Sequence, residues 1–287
     1  MAISENREPL HTPTGKDTEV QHPVEQPSVA RMYDFYLGGT SSRAIDRDAV
    51  AEVAKAMPDC FDLCLENRSF LRRAVRYMAS QGVTQFVDIG SGLPTVSNTH
   101  EIAQSINPDA KVLYVDMDPA VLELGQKLLA PNKSTAIICA DIRNPHEVFA
   151  HPDFNRLIDS TKPIGILMMC VACFFTEPEI SSIMGDIRSV ICEDSYVAVT
   201  HDTLDGHRNE KEKIARVQKI YSETPIPIYF RNHDEVSKIF EGLRLVDPGV
   251  VMLDEWHIGL DLPAPAAVRW LYGGVGRKHQ LTSHAVN

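Results

Sequence analysis

The chain has 287 residues, a formal net charge of −11 and a pI near 5.4; it is long enough for one large α/β domain plus an additional segment. A phosphate backbone is a poor partner for such a surface, because binding it depends on clustered Lys and Arg releasing counterions. No apolar run approaches the ~18 to 20 residues of a membrane span and the first ten residues hold no apolar signal core. The expectation is therefore a cytoplasmic protein with a small-molecule substrate, without nucleic-acid or membrane partners, and with a homo-oligomer left open.

Residues 1–27 mix Pro, Thr, Glu and His without periodicity and are expected to form a disordered tail. Three helices are expected over 28–83. Pro27-Ser28 opens the first and Gly38-Gly39 ends it. Ala49, Val50, Val53, Ala54 and Met57 form the apolar stripe of the second, which Pro58 stops. Phe70, Leu71, Ala74, Val75 and Met78 line one face of the third, which reaches a capping Gly82. Together they read as an N-terminal helical lid on a main domain covering 84–287.

From residue 84, short apolar runs alternate with helical ones, the pattern of an α/β, Rossmann-like, mostly parallel sheet with crossover helices. The expected strands are Gln85 to Ile89, Val112 to Asp116, Thr135 to Cys139, Ile164 to Cys170 and Tyr196 to Thr200. A helix from Asn209 to about Tyr221, an extended Pro225 to Phe230 and another short helix follow. Leu243 to Trp256, with the turn signal Asp247-Pro248-Gly249, reads as a closing hairpin. The six cysteines at 60, 64, 139, 170, 173 and 192 lie in apolar segments, as reduced thiols do. Cys170-x-x-Cys173 lacks the second pair of ligands a zinc site needs, so no metal is expected.

Phe86-Val87-Asp88-Ile89-Gly90-Ser91-Gly92 reads as a buried strand ending in G-x-G, with a helix from about Ser97. Glycines at such a turn admit a nucleotide close to the backbone, and the helix N-terminus favours negative charge. A dinucleotide fingerprint wants Gly or Ala at position 95; Pro94-Thr95 stands there, which disfavours a pyrophosphate cradle and an NAD-linked oxidoreductase. S-adenosylmethionine (SAM) has no phosphate, and an acid just before the glycines, Asp88, suits its ammonium. Asp116 ends the next strand 24 residues beyond Gly92, where a carboxylate can accept both ribose hydroxyls. Asp141 ends the third, placed to accept from the adenine amino group, with Ile142 beside it to cover the ring. A single strand-end Asp is usually a solvated loop residue or helix cap. Three after successive strands point to a cofactor.

The chain resembles a bacterial class I SAM-dependent methyltransferase family long catalogued as a domain of unknown function. The resemblance is carried by Arg31-Met32-Tyr33-Asp34-Phe35-Tyr36-Leu37-Gly38-Gly39, by Glu66 to Arg73 (E-N-R-x-F-L-R-R), by Asp88 to Thr95, by Tyr114-Val115-Asp116-Met117-Asp118-Pro119, by Ala140-Asp141-Ile142-Arg143 and by Val246-Asp247-Pro248-Gly249, over about residues 27 to 257. It implies a seven-stranded methyltransferase sheet with SAM held by Asp88, Gly90, Ser91, Gly92, Asp116, Met117, Asp141 and Ile142, and support from the N-terminal segment. Two departures, Thr40-Ser41-Ser42 after Gly39 and Cys173-Phe174 after the fourth strand, fall where substrate is expected.

Methyl transfer is an in-line displacement that rests largely on positioning. Tyr33 and Tyr36, three apart on a helix, either flank the methyl group and an aromatic substrate or serve as half-buried packing; Tyr33 is the catalytic candidate. His201 follows the fifth strand at the carboxyl edge of the sheet, where it either takes the nucleophile's proton or is a loop hydrogen bonder. Arg68, Arg72 and Arg76 share a helix face, and Arg68 is a candidate for the SAM carboxylate. Tyr36, Cys173 and Phe174 are candidate substrate contacts; with Phe175, the last two either make the pocket apolar or are core. The expected activity is methylation of a small, aromatic metabolite in secondary metabolism, with indole carbon methylation in alkaloid biosynthesis as one form. The alternatives are O- or N-methylation of another natural product and SAM binding without catalysis.

Overall fold

The computed structural model describes residues 26–94, 98–207, 209–256 and 269–279; the expected tail, apart from its last two residues, and the positions of Thr95 and Ser97 lie outside them. One sheet holds β1 (Gln85–Ile89), β2 (Lys111–Asp116), β3 (Thr135–Cys139), β4 (Gly165–Met168), β5 (Tyr196–Asp202), β6 (Arg244–Leu245), β7 (Val251–Met252) and β8 (Leu271–Arg277). Its order is β3-β2-β1-β4-β5-β8-β6, with β7 also on β8. The first five strands are parallel and β8 runs against β5, β6 and β7. This is the expected Rossmann-like sheet of a class I methyltransferase. The order reverses between β1 and β4, and open α/β sheets bind ligands beyond the carboxyl ends of the strands at such a point.

The strands form because both faces are covered. Phe86, Val112, Tyr114, Leu167, Tyr196 and Ala198 enter one apolar core, while Val87, Leu113, Val115, Ile166, Val197 and Val199 enter the other, the alternation that a pleated strand imposes. Three helices precede the sheet, α1 (Val29–Tyr36), α2 (Ala44–Ala56) and α3 (Cys60–Ser80), the first where its Pro-Ser and Gly-Gly stops placed it and the other two where apolar spacing did. The stripe Phe70, Leu71, Ala74, Val75 and Met78 of α3 is fully buried in the first core. Then come α4 (Thr99–Ile106), α5 (Pro119–Leu129), α6 (Pro145–Phe149), α7 (Pro152–Leu157), α8 (Glu177–Val190), α9 (Lys211–Ser222) and α10 (His233–Ile239). Reciprocal capping boxes, Asn98 with Glu101 and Thr176 with Glu179, start α4 and α8. Among the described residues no helix is long and apolar enough to cross a membrane.

The expected closing hairpin is corrected. β6 and β7, on either side of Asp247-Pro248-Gly249, do not pair with each other; each lies against β8. The strand that inserts between them and β5, Leu271–Arg277, carries three glycines and gives no strand signal of its own. Gly273, Gly274 and Gly276 are there because a Cβ on them would come within about 2.4 to 3.1 Å of Leu253, Phe240 and Leu243 side chains.

Candidate active site

The floor of the site is the carboxyl edge of β1, β2 and β3. Gly90 and Ser91 donate their N–H groups to the Val115 carbonyl at 2.8 and 3.2 Å, so the glycine turn is folded back onto β2. Asp116 accepts from the N–H groups of Gly92 (2.8 Å) and Asp118 (3.0 Å), locking the strand ends to each other. Asp88 accepts from the Thr99 hydroxyl at 2.7 Å. Burial pushes its carboxyl up to about 6, against the pull of that hydrogen bond and of the Arg68 charge. Burial likewise raises Asp116. Asp141 is different: burial acts to raise it, but the Arg143 fork at 2.6 Å outweighs this and holds it below the usual carboxylate range.

The roof is built by α1 and α3. Ser28 caps α1 and its hydroxyl donates to Asp118 at 2.8 Å, which fastens the helix to the loop after β2. Arg31 meets the wholly buried Asp46 at 2.6 Å, and Asp46 also accepts from the Ser28 and Arg43 N–H groups, so α1 is tied to α2 at the same point. In α3, Asn67 accepts from the Thr200 hydroxyl at 2.7 Å and donates to the Tyr33 hydroxyl oxygen at 2.6 Å. That fixes Tyr33 between the roof and β5. Arg68 lies against the Tyr33 ring, 5.5 Å from its centroid, and its Nε is buried with no hydrogen-bond partner.

Floor and roof enclose a cavity of about 430 Å³. Tyr33, Arg68, Asp88, Gly90, Ser91, Gly92, Asp116, Met117, Asp141, Ile142, Cys173 and Phe174 all line it, so the sequence candidates from six separate segments converge. One end carries Asp88, Asp116 and Asp141. The other is apolar, walled by Leu63, Cys64, Cys173, Phe174, Tyr221 and Ile226. Phe174 packs beside Tyr221 with ring centroids 6.3 Å apart.

Two candidates lie elsewhere. His201 does not line the cavity: it is wholly buried, with Nδ1 2.8 Å from the Asp202 carbonyl and Nε2 against Arg231, and burial pushes it down to about 4. Alternation along β5 turns it towards the second core, so the expectation that it takes a proton from the nucleophile is corrected. Tyr36 is buried with its ring edge-on to Phe61 at 5.4 Å and is packing rather than a cavity wall. The neighbour of His201, which the sequence reading passed over, meets the cavity instead. Asp202, one position further on β5, lines the cavity, on the same strand face as Thr200. Strand parity, counted from the apolar Val197 and Val199, was the signal for it. Asn67 was visible only as a letter in E-N-R; its bridging role depends on contacts no spacing reveals.

The model of the S-adenosyl methyltransferase family matches residues 15–279. The chain belongs to that family. Its sheet is accordingly that of a SAM-dependent methyltransferase, and SAM is its cofactor. Among solved structures it is similar to a protein of Thermobifida fusca YX provisionally named a methyltransferase, with 34% identity over 89% of this chain and 96% of that one and a TM-score of 0.82. It is also similar to a DUF574 family protein of Streptomyces avermitilis MA-4680, with 32% identity over 88% and 98% and a TM-score of 0.80. No curated protein matches the chain. The methyltransferase's cavity fits the cofactor on chemical grounds. Arg68 offers an unpartnered buried donor for a carboxylate, and Asp88 and Asp116 offer acceptor capacity for an ammonium and for hydroxyls.

Proposed function

We propose that this methyltransferase carries a methyl group to a small aromatic acceptor, an indole carbon or a ring-borne oxygen or nitrogen of a secondary metabolite. The observation that carries this reading is the continuity of the cavity from its carboxylate end into a chamber of apolar and aromatic side chains. Asp88 and Arg68 are assigned the amino-acid end of SAM, with the Gly90-Ser91-Gly92 turn beneath it. Asp116 is assigned the ribose hydroxyls, Asp141 the adenine amino group, and Met117 and Ile142 the two faces of the ring. Bound SAM supplies an electrophilic methyl carbon on a sulfonium. The chain's own work is then positioning and water exclusion: Tyr33 closes the junction between the two ends, while Cys173 and Phe174 hold a flat acceptor in line.

Labelled SAM offered with panels of indoles, phenols and aromatic amines, and the label located by mass spectrometry, tests this. Label is expected on at least one aromatic acceptor. SAM binding with no aromatic acceptor labelled would overturn the reading and favour SAM binding without turnover.

The Asp88 assignment carries a pH dependence. The folded-state value of about 6 lies above the ~3.9 of an unfolded Asp. Its contribution to the stability of the cofactor-free protein is therefore fully present below about pH 4 and lost as pH rises through about 6. A bound ammonium has the opposite preference and needs the ionised carboxylate. SAM affinity is thus expected to be highest above pH 6 and to fall by up to about tenfold per unit below it. Calorimetric titrations from pH 5 to 8 measure this, and Asp88→Asn should flatten most of the slope.

A further inference from the structure

We propose that the Asp202 carboxylate receives the hydrogen bond of the acceptor's nucleophilic N–H or O–H and, at transfer, its proton, so that the substrates are neutral aromatics bearing such a donor. This rests on the aromatic reading above and deepens it.

Among the described residues the other buried carboxylates are compensated. Asp46 has Arg31, Glu66 has Arg73, Asp88 has the Thr99 hydroxyl, and Asp34 accepts from the Ser41 N–H. Asp202 is 7% exposed and lines the cavity, yet what reaches its carboxylate is the thiol of Cys173, a weak donor, and its own backbone N–H. A buried charge kept without a strong partner is costly, and its missing donors must come from what enters the cavity.

The surroundings leave Asp202 as the acceptor at the apolar end. Facing it are the thiols of Cys64 on α3 and of Cys170 and Cys173 after β4, and the hydroxyl of Tyr221 on α9, all raised by burial and therefore protonated. Tyr33 is raised in the same way, and its oxygen already accepts from Asn67. Among the described residues no cation reaches Asp202. Arg231 gives only its backbone N–H to the Asp202 carbonyl, while its guanidinium turns to His201 and the Ala172 and Phe175 carbonyls. Burial pushes Asp202 up to about 6, so it is ionised, yet basic enough to hold a proton, near neutrality.

The balance is simple. The donor's hydrogen leaves as a proton to Asp202, and its bonding pair stays with the acceptor. The acceptor's new bond to the methyl carbon forms as the carbon–sulfur bond breaks with its pair on sulfur. Asp202 returns the proton to water once product has left.

Binding of matched twins to the protein saturated with S-adenosylhomocysteine tests the hydrogen bond: indole against 1-methylindole, and 2-naphthol against 2-methoxynaphthalene. At pH 7.5 the N–H or O–H member is expected to bind at least about tenfold tighter, with the preference shrinking as pH falls through 6. In Asp202→Leu the preference should vanish while affinity for S-adenosylhomocysteine stays within about twofold. Equal binding of the twins, or a preference that survives Asp202→Leu, overturns the proposal and leaves the aromatic reading standing. No binding of any of the four overturns that reading and this proposal with it. For the proton, Asp202→Asn should lower kcat by about 10²-fold or more on every aromatic acceptor the wild type labels, as loss of a general base does, with SAM affinity unchanged. An undiminished kcat overturns it.

Discussion

Replacement of Gly90 by alanine should abolish measurable SAM binding and destabilise the cofactor-free protein, whereas the same change at Gly92 should cost far less stability. Both glycines sit in the left-handed region, at φ +64° and +62°, where a Cβ costs about 1 to 2 kcal/mol. Their surroundings differ. A Cβ on Gly90 would stand 2.3 Å from Cγ2 of Val171, whereas one on Gly92 would meet nothing within 4 Å. Val171 lies in the segment between β4 and α8 and cannot retreat without disturbing Cys170 and Ala172 beside it. Overpacking of this kind adds about 1 to 3 kcal/mol, so Gly90→Ala should lose roughly 2 to 5 kcal/mol by the same reckoning. The turn can relieve the clash only by leaving the Val115 carbonyl, and the N–H groups and Asp116 carboxylate it organises move with it. Denaturant melts of both variants and of Gly90→Ala/Val171→Ala check the cause. Trimming Val171 should restore the overpacking component and leave the φ component, and equal costs for Gly90→Ala and Gly92→Ala would exclude the Val171 contact as the cause.

That dependence on a neighbour far away in sequence marks the boundary of what the amino-acid pattern discloses. β1 to β5 are legible because a strand covered on both faces must be apolar nearly throughout, α2 and α3 because their stripes repeat at helical spacing, and α1 because Pro27-Ser28 and Gly38-Gly39 bracket it. The strand-end acids are legible for the same reason, each being fixed by the end of a run. β8 is not. Its glycines answer to Leu253, Phe240 and Leu243, and a string of glycines carries no strand propensity of its own. With β8 invisible, β6 and β7 had no partner except each other, which is how a hairpin came to be expected. Residue type alone favours His201 over Asp202. An imidazole is the commoner base, but position in the pleat decides which of two adjacent side chains meets the cavity. Tyr33 and Tyr36 separate likewise, since only Tyr33 reaches the cavity while Tyr36 turns to Phe61.

The E-N-R-x-F-L-R-R element explains why the roof holds, and it yields the largest expected loss of stability. Arg73 is wholly buried in α3; it donates to Glu66 at 2.7 Å, to the Leu253 carbonyl at 2.6 Å and to the Ser69 hydroxyl at 2.8 Å. It thus joins the helix that carries Asn67 and Arg68 to the turn after β7. Burial raises the Glu66 carboxyl and Arg73 opposes this. Arg73→Ala would leave that carboxylate uncompensated, which costs about 3 to 5 kcal/mol. The deficit should depend on pH. Without Arg73, Glu66 is raised further above its unfolded value of about 4.3. Its contribution is then present in full below that value and lost as pH rises through the folded one, so the variant should be least impaired in acid and most impaired at pH 8. Glu66→Gln/Arg73→Met, which removes both charges and keeps the volume, should recover most of the loss, since buried pairs are often replaceable by well-packed neutral residues. Melts of the three proteins at pH 5 and pH 8 decide it. A deficit that the double variant does not relieve would place the stabilising role of Arg73 in its bond to the Leu253 carbonyl and its packing on Phe70 rather than in the ion pair.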